Sequence, residues 1–283
     1  MLNARHSTTA ALAWNPDFCD RSPLFEPLRA SAVRLRGPHW PTLDKLQRLL
    51  ADEPVVTVAD GMPLAVVRQE RTWTLGFEAR AYLHGELQVR DGSWHDLFNV
   101  LAWRTFPRAK AAINRAHYDA LPEGAGGRRG PRRDALTLFD ESGVVVAACD
   151  PDLLTLLREF RWHDLFWKER GCVRASMRCI VFGHALYEKA LVPYVGLTGH
   201  ALLFPVAPSF TALAPERQVA SLDASIAACV ADAQAFASSA ALAPLPLLGI
   251  PGWWADNESE AFYANERYFR PGRAKSAGSR EKL

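Results

Sequence analysis

Apolar residues recur along this chain at two different periods, and the changes of period mark its elements. Pro41 opens an amphipathic stretch that reads as a helix to Leu50, since proline is favoured at the first helical position. From Pro54 to Val89 the pattern shifts toward strands, with Val55 to Val58, Leu64 to Val67 and Trp73 to Phe77 separated by Asp60-Gly61 and charged turns. A small sheet is expected to begin there. Ser93 can cap a helix running to about Trp103, on which Trp94, Leu97, Phe98 and Leu101 follow the i, i+3, i+4, i+7 rule, and Pro107 opens another to about Leu121.

Farther along, Ala135 to Phe139 and Val144 to Ala148 flank Glu141-Ser142-Gly143, a pattern that predicts a β-hairpin. Helices over Pro151 to Phe160 and around Trp162 to Trp167, a strand over Val173 to Val181 and a helix from Gly183 to Leu191 come next. Pro215 starts an alanine-rich helix expected to reach Phe236, with Val219, Leu222, Ile226 and Val230 as its buried stripe. Together these elements predict an α+β fold, a small antiparallel sheet packed with several helices, in a single domain over residues 41–271.

The flanks differ. Residues 1–40 carry Pro16, Pro23, Pro27 and Pro38 and little periodicity, so they are expected to form an arm packed on the domain through Trp14, Phe18, Leu24 and Phe25. Residues 272–283 are expected to be a disordered tail, and Pro122 to Arg133, rich in Gly, Pro and Arg, a mobile surface loop.

Composition excludes several classes. A hydrophobic fraction of 49% and a charged fraction of 23% belong to a globular chain able to build a core. Thirty-three basic against thirty-one acidic residues leave +2, so a polyanionic partner would have to be held locally. The five cysteines form no C-x-x-C pair and read as buried reduced thiols. Met1 to Trp14 lacks the apolar stretch of a secretory signal, and the apolar run Ala240 to Trp254 is broken by Pro244, Pro246 and Pro251. A cytoplasmic protein without a membrane segment is therefore expected.

The chemistry-bearing residues lie mostly on the helices. Trp-His-Asp-Leu-Phe occurs at Trp94 to Phe98 and again at Trp162 to Phe166, for which an internal duplication is one explanation. His95 and Asn99 share a stripe beside the apolar one; Lys110, Asn114 and His117 recur at similar spacing; His184 and Glu188 stand one turn apart. Imidazoles titrate near neutrality, so His95, His117, His184 and Glu188 are candidate acids, bases or metal ligands; a helix cap or a simple helix-face contact is the plainer use of such pairs. No H-E-x-x-H, G-x-S-x-G or phosphate-loop motif is present, and the sequence names neither a metal nor a cofactor.

Arg128, Arg129, Arg132 and Arg133 crowd together, and guanidinium forks suit phosphate or carboxylate, though such a loop is equally well simply solvated. Arg132, Arg133, Lys110 and Asn99 are thus candidate substrate contacts. Trp253, in Gly249 to Trp254, either closes a ligand pocket or stacks on a base, or pins its loop to the core. Two functions follow: an enzyme, a hydrolase among the options, acting on a small anionic or nucleotide-like substrate; or a non-catalytic module that binds nucleic acid or protein through the arginines and aromatics.

Trp94 to Phe98 with Phe106-Pro107 and Lys110, the run Arg132 to Glu141, the phrase Phe182 to Lys189, and Gly196-Leu197-Thr198-Gly199-His200 resemble the bacterial domain-of-unknown-function family 3025 over most of the chain. The resemblance implies a bacterial origin and one domain, and it assigns no catalytic residue.

Overall fold

A computed structural model describes residues 12–70, 75–121, 130–232 and 234–272. Two short 3-10 helices, Phe18–Arg21 and Pro23–Leu28, lead into α1 (Arg29–Leu35) and α2 (Leu43–Ala51). The hydroxyls of Ser22 and Thr42 accept from the backbone amides of Leu24 and Lys45, which satisfies a donor at two of these starts. Phe18, Leu24, Phe25, Leu28 and Leu35 are buried in the main core.

Strand β1 (Ala65–Arg68), helix α3 (Phe77–His84) and strand β2 (Glu86–Val89) follow, the two strands pairing in parallel from Ala65↔Glu86 to Arg68↔Val89. Parallel neighbours need a crossover, and α3 provides it. Gly85 ends α3 at φ +63, and a Cβ there would sit 2.5 Å from the carbonyl oxygen of Pro63, so only glycine fits. The strand expected over Val55 to Val58 is reduced to a single bridge, Thr57 to Pro63. Of the one expected over Trp73 to Phe77, Trp73 and Thr74 lie outside the described residues, and Phe77 opens α3, whose Glu, Ala, Arg and Leu content favours helix.

Helices α4 (Trp94–Thr105) and α5 (Pro107–Asp119) start where the caps predict. The expected hairpin does not form. Residues 131–142 are helix α6 (Pro131–Ser142), opened by Pro131 behind an extended Gly130, with Ala135, Leu136, Phe139 and Ser142 buried at i, i+1, i+4 and i+7. Only the second arm is a strand, β3 (Gly143–Ala148). Pro131 to Arg133, expected in a mobile loop, belong to the first turn of α6, and 122–129 lie outside the described residues.

Beyond β3 come α7 (Pro151–Arg158), α8 (Arg170–Ser176), β4 (Met177–Val181), α9 (His184–Ala190), β5 (Thr198–Pro205), α10 (Pro215–Ala231) and β6 (Ala243–Pro246). The strand expected from Val173 begins only at Met177, because α8 takes up the residues before it. Helix α10 stops at Ala231, short of Phe236, where Asp232 turns to extended backbone.

The main sheet runs β4-β3-β5-β6 and is mixed: β3 is antiparallel to β4 and parallel to β5, and β5 is antiparallel to β6. The α+β class is as expected; an all-antiparallel sheet is not found. Every residue of β3 is buried. Val144, Val146 and Ala148 face a core shared with α4, α9 and the amino-terminal helices, and Val145 and Ala147 face a second core shared with α5, α6 and α10. Two covered faces explain why this strand reads as a continuous apolar run. All five cysteines are free, Cys19 buried and Cys172 exposed. No described helix is long and apolar enough to cross a membrane.

Helix α5 lacks a capping side chain of its own, and Asp223 of α10 replaces it, accepting from the backbone amides of Arg108 at 3.2 Å and Ala109 at 2.8 Å. Asp223→Ala is expected to lower stability by about 1–2 kcal/mol, the usual size of a lost helix cap. Urea denaturation checks this: the midpoint should fall with an unchanged m value, and an unmoved midpoint would show that the cap contributes nothing.

Candidate functional site

Three helix segments meet at one corner: the last turn of α6, the first turn of α9 and the first half of α4. Gly183 lies so close to the α6–β3 corner that a Cβ on it would be 2.4 Å from the backbone nitrogen of Ser142. Helix α9 therefore starts directly on that corner, and His184 Nδ1 donates to the carbonyl oxygen of Asp140 at 2.9 Å. Phe98 of α4 stacks on Tyr187 of α9 with ring centroids 5.7 Å apart, and this packing carries His95 to the same place.

His95 Nδ1 lies 3.1 Å from Glu188 Oε2, and the two imidazoles face each other with His95 Nε2 and His184 Nε2 3.2 Å apart. A carbonyl oxygen and a carboxylate can only accept, so each ring carries its hydrogen on Nδ1, and in the neutral rings both Nε2 atoms are lone-pair acceptors. Glu141 Oε2 is 3.6 Å from His184 Nε2.

His95, His184 and Glu141 line a cavity of about 600 Å³, to which α3 contributes Glu78, β2 Gln88, and α4 Asn99. Behind the wall Lys110 pairs with Asp140 at 2.6 Å; their side chains are 4% and 13% exposed. Burial works to raise the Asp140 carboxyl, but Lys110 and then His184 outweigh it and hold the group below its ordinary range. At Glu78 the charges of Lys110 and Arg133 are outweighed. Burial first, then the charge of Asp140, push its carboxyl up to about 7, while its Oε2 accepts from Asn114 Nδ2 at 2.6 Å. Burial likewise raises Glu141 and lowers His184 to about 3, whereas the hydrogen bond to Glu188 raises His95. Two buried polar atoms of the wall, Asn99 Oδ1 and Gln88 Nε2, have no hydrogen-bond partner among the described residues.

Of the residues singled out from the sequence, His95, His184, Glu188 and Asn99 come together here. His117 is buried on α5 and does not line the cavity, and Lys110 pairs with Asp140 instead of facing the space. Arg132 donates to the carbonyl oxygen of Val230 at 2.6 Å, so its guanidinium holds α6 to α10. Arg133 stands in the same turn, half-buried, and reaches the site only through its charge near Glu78. Arg128 and Arg129 lie outside the described residues. Trp253 is partly buried and packs against the main core, in a segment tied down by Asn257, which donates to the carbonyls of Leu248 and Ile250.

The two Trp-His-Asp-Leu-Phe copies share the use of their tryptophan but not of their histidine. Trp94 and Trp162 each donate to a distant carbonyl, of Leu12 and Arg270. Both histidines pair with a glutamate, His95 with Glu188 and His163 with Glu260, but His95 also faces the imidazole of His184.

Glu78, Asp140 and Glu141 were not among the sequence candidates. The last two were hidden in an expected turn; read at a helical period, Ala135 to Ser142 puts them on the final turn of a helix, three and two residues upstream of β3.

A family model described as Protein of unknown function (DUF3025) matches residues 64–273. No curated protein and no solved structure matches the chain.

Proposed function

Because the chain belongs to the DUF3025 family, whose description carries no reaction, its function has to come from the cavity, and we propose that it is an enzyme hydrolysing a small polar molecule there. The observation that carries this reading is the pair of opposed imidazoles, their acceptor nitrogens 3.2 Å apart, at the wall of a cavity that also holds Glu78 and Glu141. Such a site can hold a water molecule and take up its proton. Glu78, whose carboxyl gains and loses its proton near neutrality, is the proton-exchanging residue. Glu188 and the Asp140 carbonyl are positioning residues, each fixing one ring by its Nδ1 hydrogen. Asn99 Oδ1 and Gln88 Nε2, unpartnered among the described residues, are the polar contacts offered to a substrate.

The charge of the cavity revises the substrate. Of the acids that line it, Asp96 is gripped by Arg90 through two nitrogens at 2.8 Å and Asp140 by Lys110, which leaves Glu70 and Glu141 without a lysine or arginine paired to them among the described residues. A neutral or cationic group suits this lining, and an anionic one requires an added counter-charge. The nucleic-acid reading has less behind it, since Arg132 is engaged within the fold.

Purified protein assayed on small esters, amides and phosphomonoesters is expected to turn over at least one class. Glu78→Gln and His95→Ala, checked for folding by circular dichroism, should each cut turnover by about 10²–10⁴-fold, the usual worth of a positioned acid or base. Absence of turnover across the panel, or folded variants as active as the wild type, would remove the reading.

A further inference from the structure

We propose that His95 Nε2, His184 Nε2 and Glu141 Oε2 form a binding site for one divalent first-row transition-metal ion whose remaining coordination positions open into the cavity. The proposal shares its cavity with the reaction above and specifies what stands between the imidazoles.

Spacing is the first reason. Two imidazole nitrogens bound about 2.0–2.1 Å from one tetrahedral ion lie about 3.3–3.4 Å apart, and a bound carboxylate oxygen stands at a similar distance from each. The protein holds the nitrogens 3.2 Å apart and Glu141 Oε2 3.6 Å from His184 Nε2, all three ligand atoms falling within 4.8 Å of one another. With both rings neutral, two lone pairs at that separation repel unless a proton or a metal ion stands between them.

The surroundings of the ligands are the second reason. Ligating histidines characteristically donate their other ring hydrogen to a carbonyl or carboxylate, which fixes the tautomer and aims the free nitrogen. His184 does so to the Asp140 carbonyl and His95 to the Glu188 carboxylate. These come from different elements, the α6 end and α9, so both rings are steered by separate parts of the fold.

Ligand chemistry narrows the ion. Two nitrogens and one oxygen disfavour magnesium and calcium, which take oxygen ligands, and suit zinc, iron, cobalt, nickel or manganese. The carboxylate ligand is 43% exposed and can close on an incoming ion, whereas His184 is buried and fixed. A bound divalent ion also brings the counter-charge that the acidic lining lacks. The carbonyl or anionic oxygen of a substrate could then be bound and polarised in a cavity that would otherwise repel it.

The test uses the full chain. Elemental analysis of the isolated protein should find a transition metal, and chelator-stripped protein should take up one equivalent of Zn²⁺ in competition with a chromophoric chelator. Co²⁺ in its place should give visible d–d absorption of low-symmetry nitrogen and oxygen ligation. Glu188→Gln, which loosens His95 without removing a ligand, is expected to weaken Zn²⁺ binding about 10–100-fold; His95→Ala and Glu141→Gln should weaken it more. Glu141→Gln alters a half-exposed side chain and keeps its shape, so a loss of binding there is not a folding defect. Folded wild type with no saturable Zn²⁺ binding, or affinities unchanged in both His95→Ala and Glu141→Gln, would overturn the site. Turnover that survives in metal-free protein which binds no ion would overturn it too, while leaving the hydrolase reading intact. Stoichiometric ion binding without turnover would do the reverse.

Discussion

Lys110→Ala is expected to lower the stability of the protein by about 3–5 kcal/mol, the cost of leaving one member of a buried ion pair without its partner. Lys110 and Asp140 touch at 2.6 Å behind the cavity wall, and the lysine is almost wholly enclosed. Removing the ammonium strands a carboxylate in a place that burial already makes hostile to charge. Trp103, over whose ring the ammonium sits 5.7 Å from the centroid, would lose that contact too. Equilibrium denaturation of the single variants and of Lys110→Ala with Asp140→Ala completes the cycle. The double variant should be less destabilised than the sum of the singles, because the stranded charge is gone. A single-variant loss below about 1 kcal/mol, the worth of a surface pair, would show that the pair is solvated after all.

Glu78→Gln should change the pH dependence of stability and not merely its level. The glutamate's carboxyl stands near 4.5 when free and at about 7 in the fold, so the fold favours the protonated form. Its contribution is therefore fully present below the unfolded value and is lost as pH rises through the folded one. Between about pH 4.5 and pH 7 the wild type should lose up to about 3 kcal/mol, at 1.36 kcal/mol per unit of separation. Glutamine cannot ionise yet still offers an oxygen to Asn114, so the variant should gain on the wild type across that range and hold a constant lead above it. Melting curves at half-unit pH steps decide this; two parallel curves would place Glu78 in ordinary solvent. A variant more stable at pH 8 and at the same time inactive is what a proton-exchanging carboxyl kept in an unfavourable setting produces.

Much of the site was legible because helices advertise themselves. Ser93, Pro107 and the stripe of Trp94, Leu97, Phe98 and Leu101 fixed α4 and α5 to within a residue or two, and with α4 came the orientation of His95 and Asn99. His184 and Glu188 were readable one turn apart for the same reason. What stayed hidden depended on distant partners. Ala-Leu-Thr-Leu-Phe satisfies a strand period as readily as a helical one, and what decides is burial on one side against α10 and α5, which local pattern does not contain. That ambiguity displaced Asp140 and Glu141 from view. Lys110 looked like a ligand contact because nothing nearby in the chain neutralises it; its counter-ion lies thirty residues on. Arg132 and Arg133 were assigned to a loop through composition, since Pro131 reads as a loop residue until Gly130 before it is recognised as the start of a helix.

The contact of Gly183 with the α6–β3 corner assigns unequal duties to the two sides of the cavity. There main chain rests on main chain with no side chain between, so His184 and Glu141 ride on a seam that no exchange of buried side chains can adjust. His95 arrives from the far side on α4, across an interface of interchangeable aromatic surfaces, Phe98 on Tyr187. One jaw is thus welded and the other bolted. The gap between the imidazoles is set by how thick the bolt is, and substitutions at Phe98 or Tyr187 would retune the centre from beneath while each of its polar groups stayed in place.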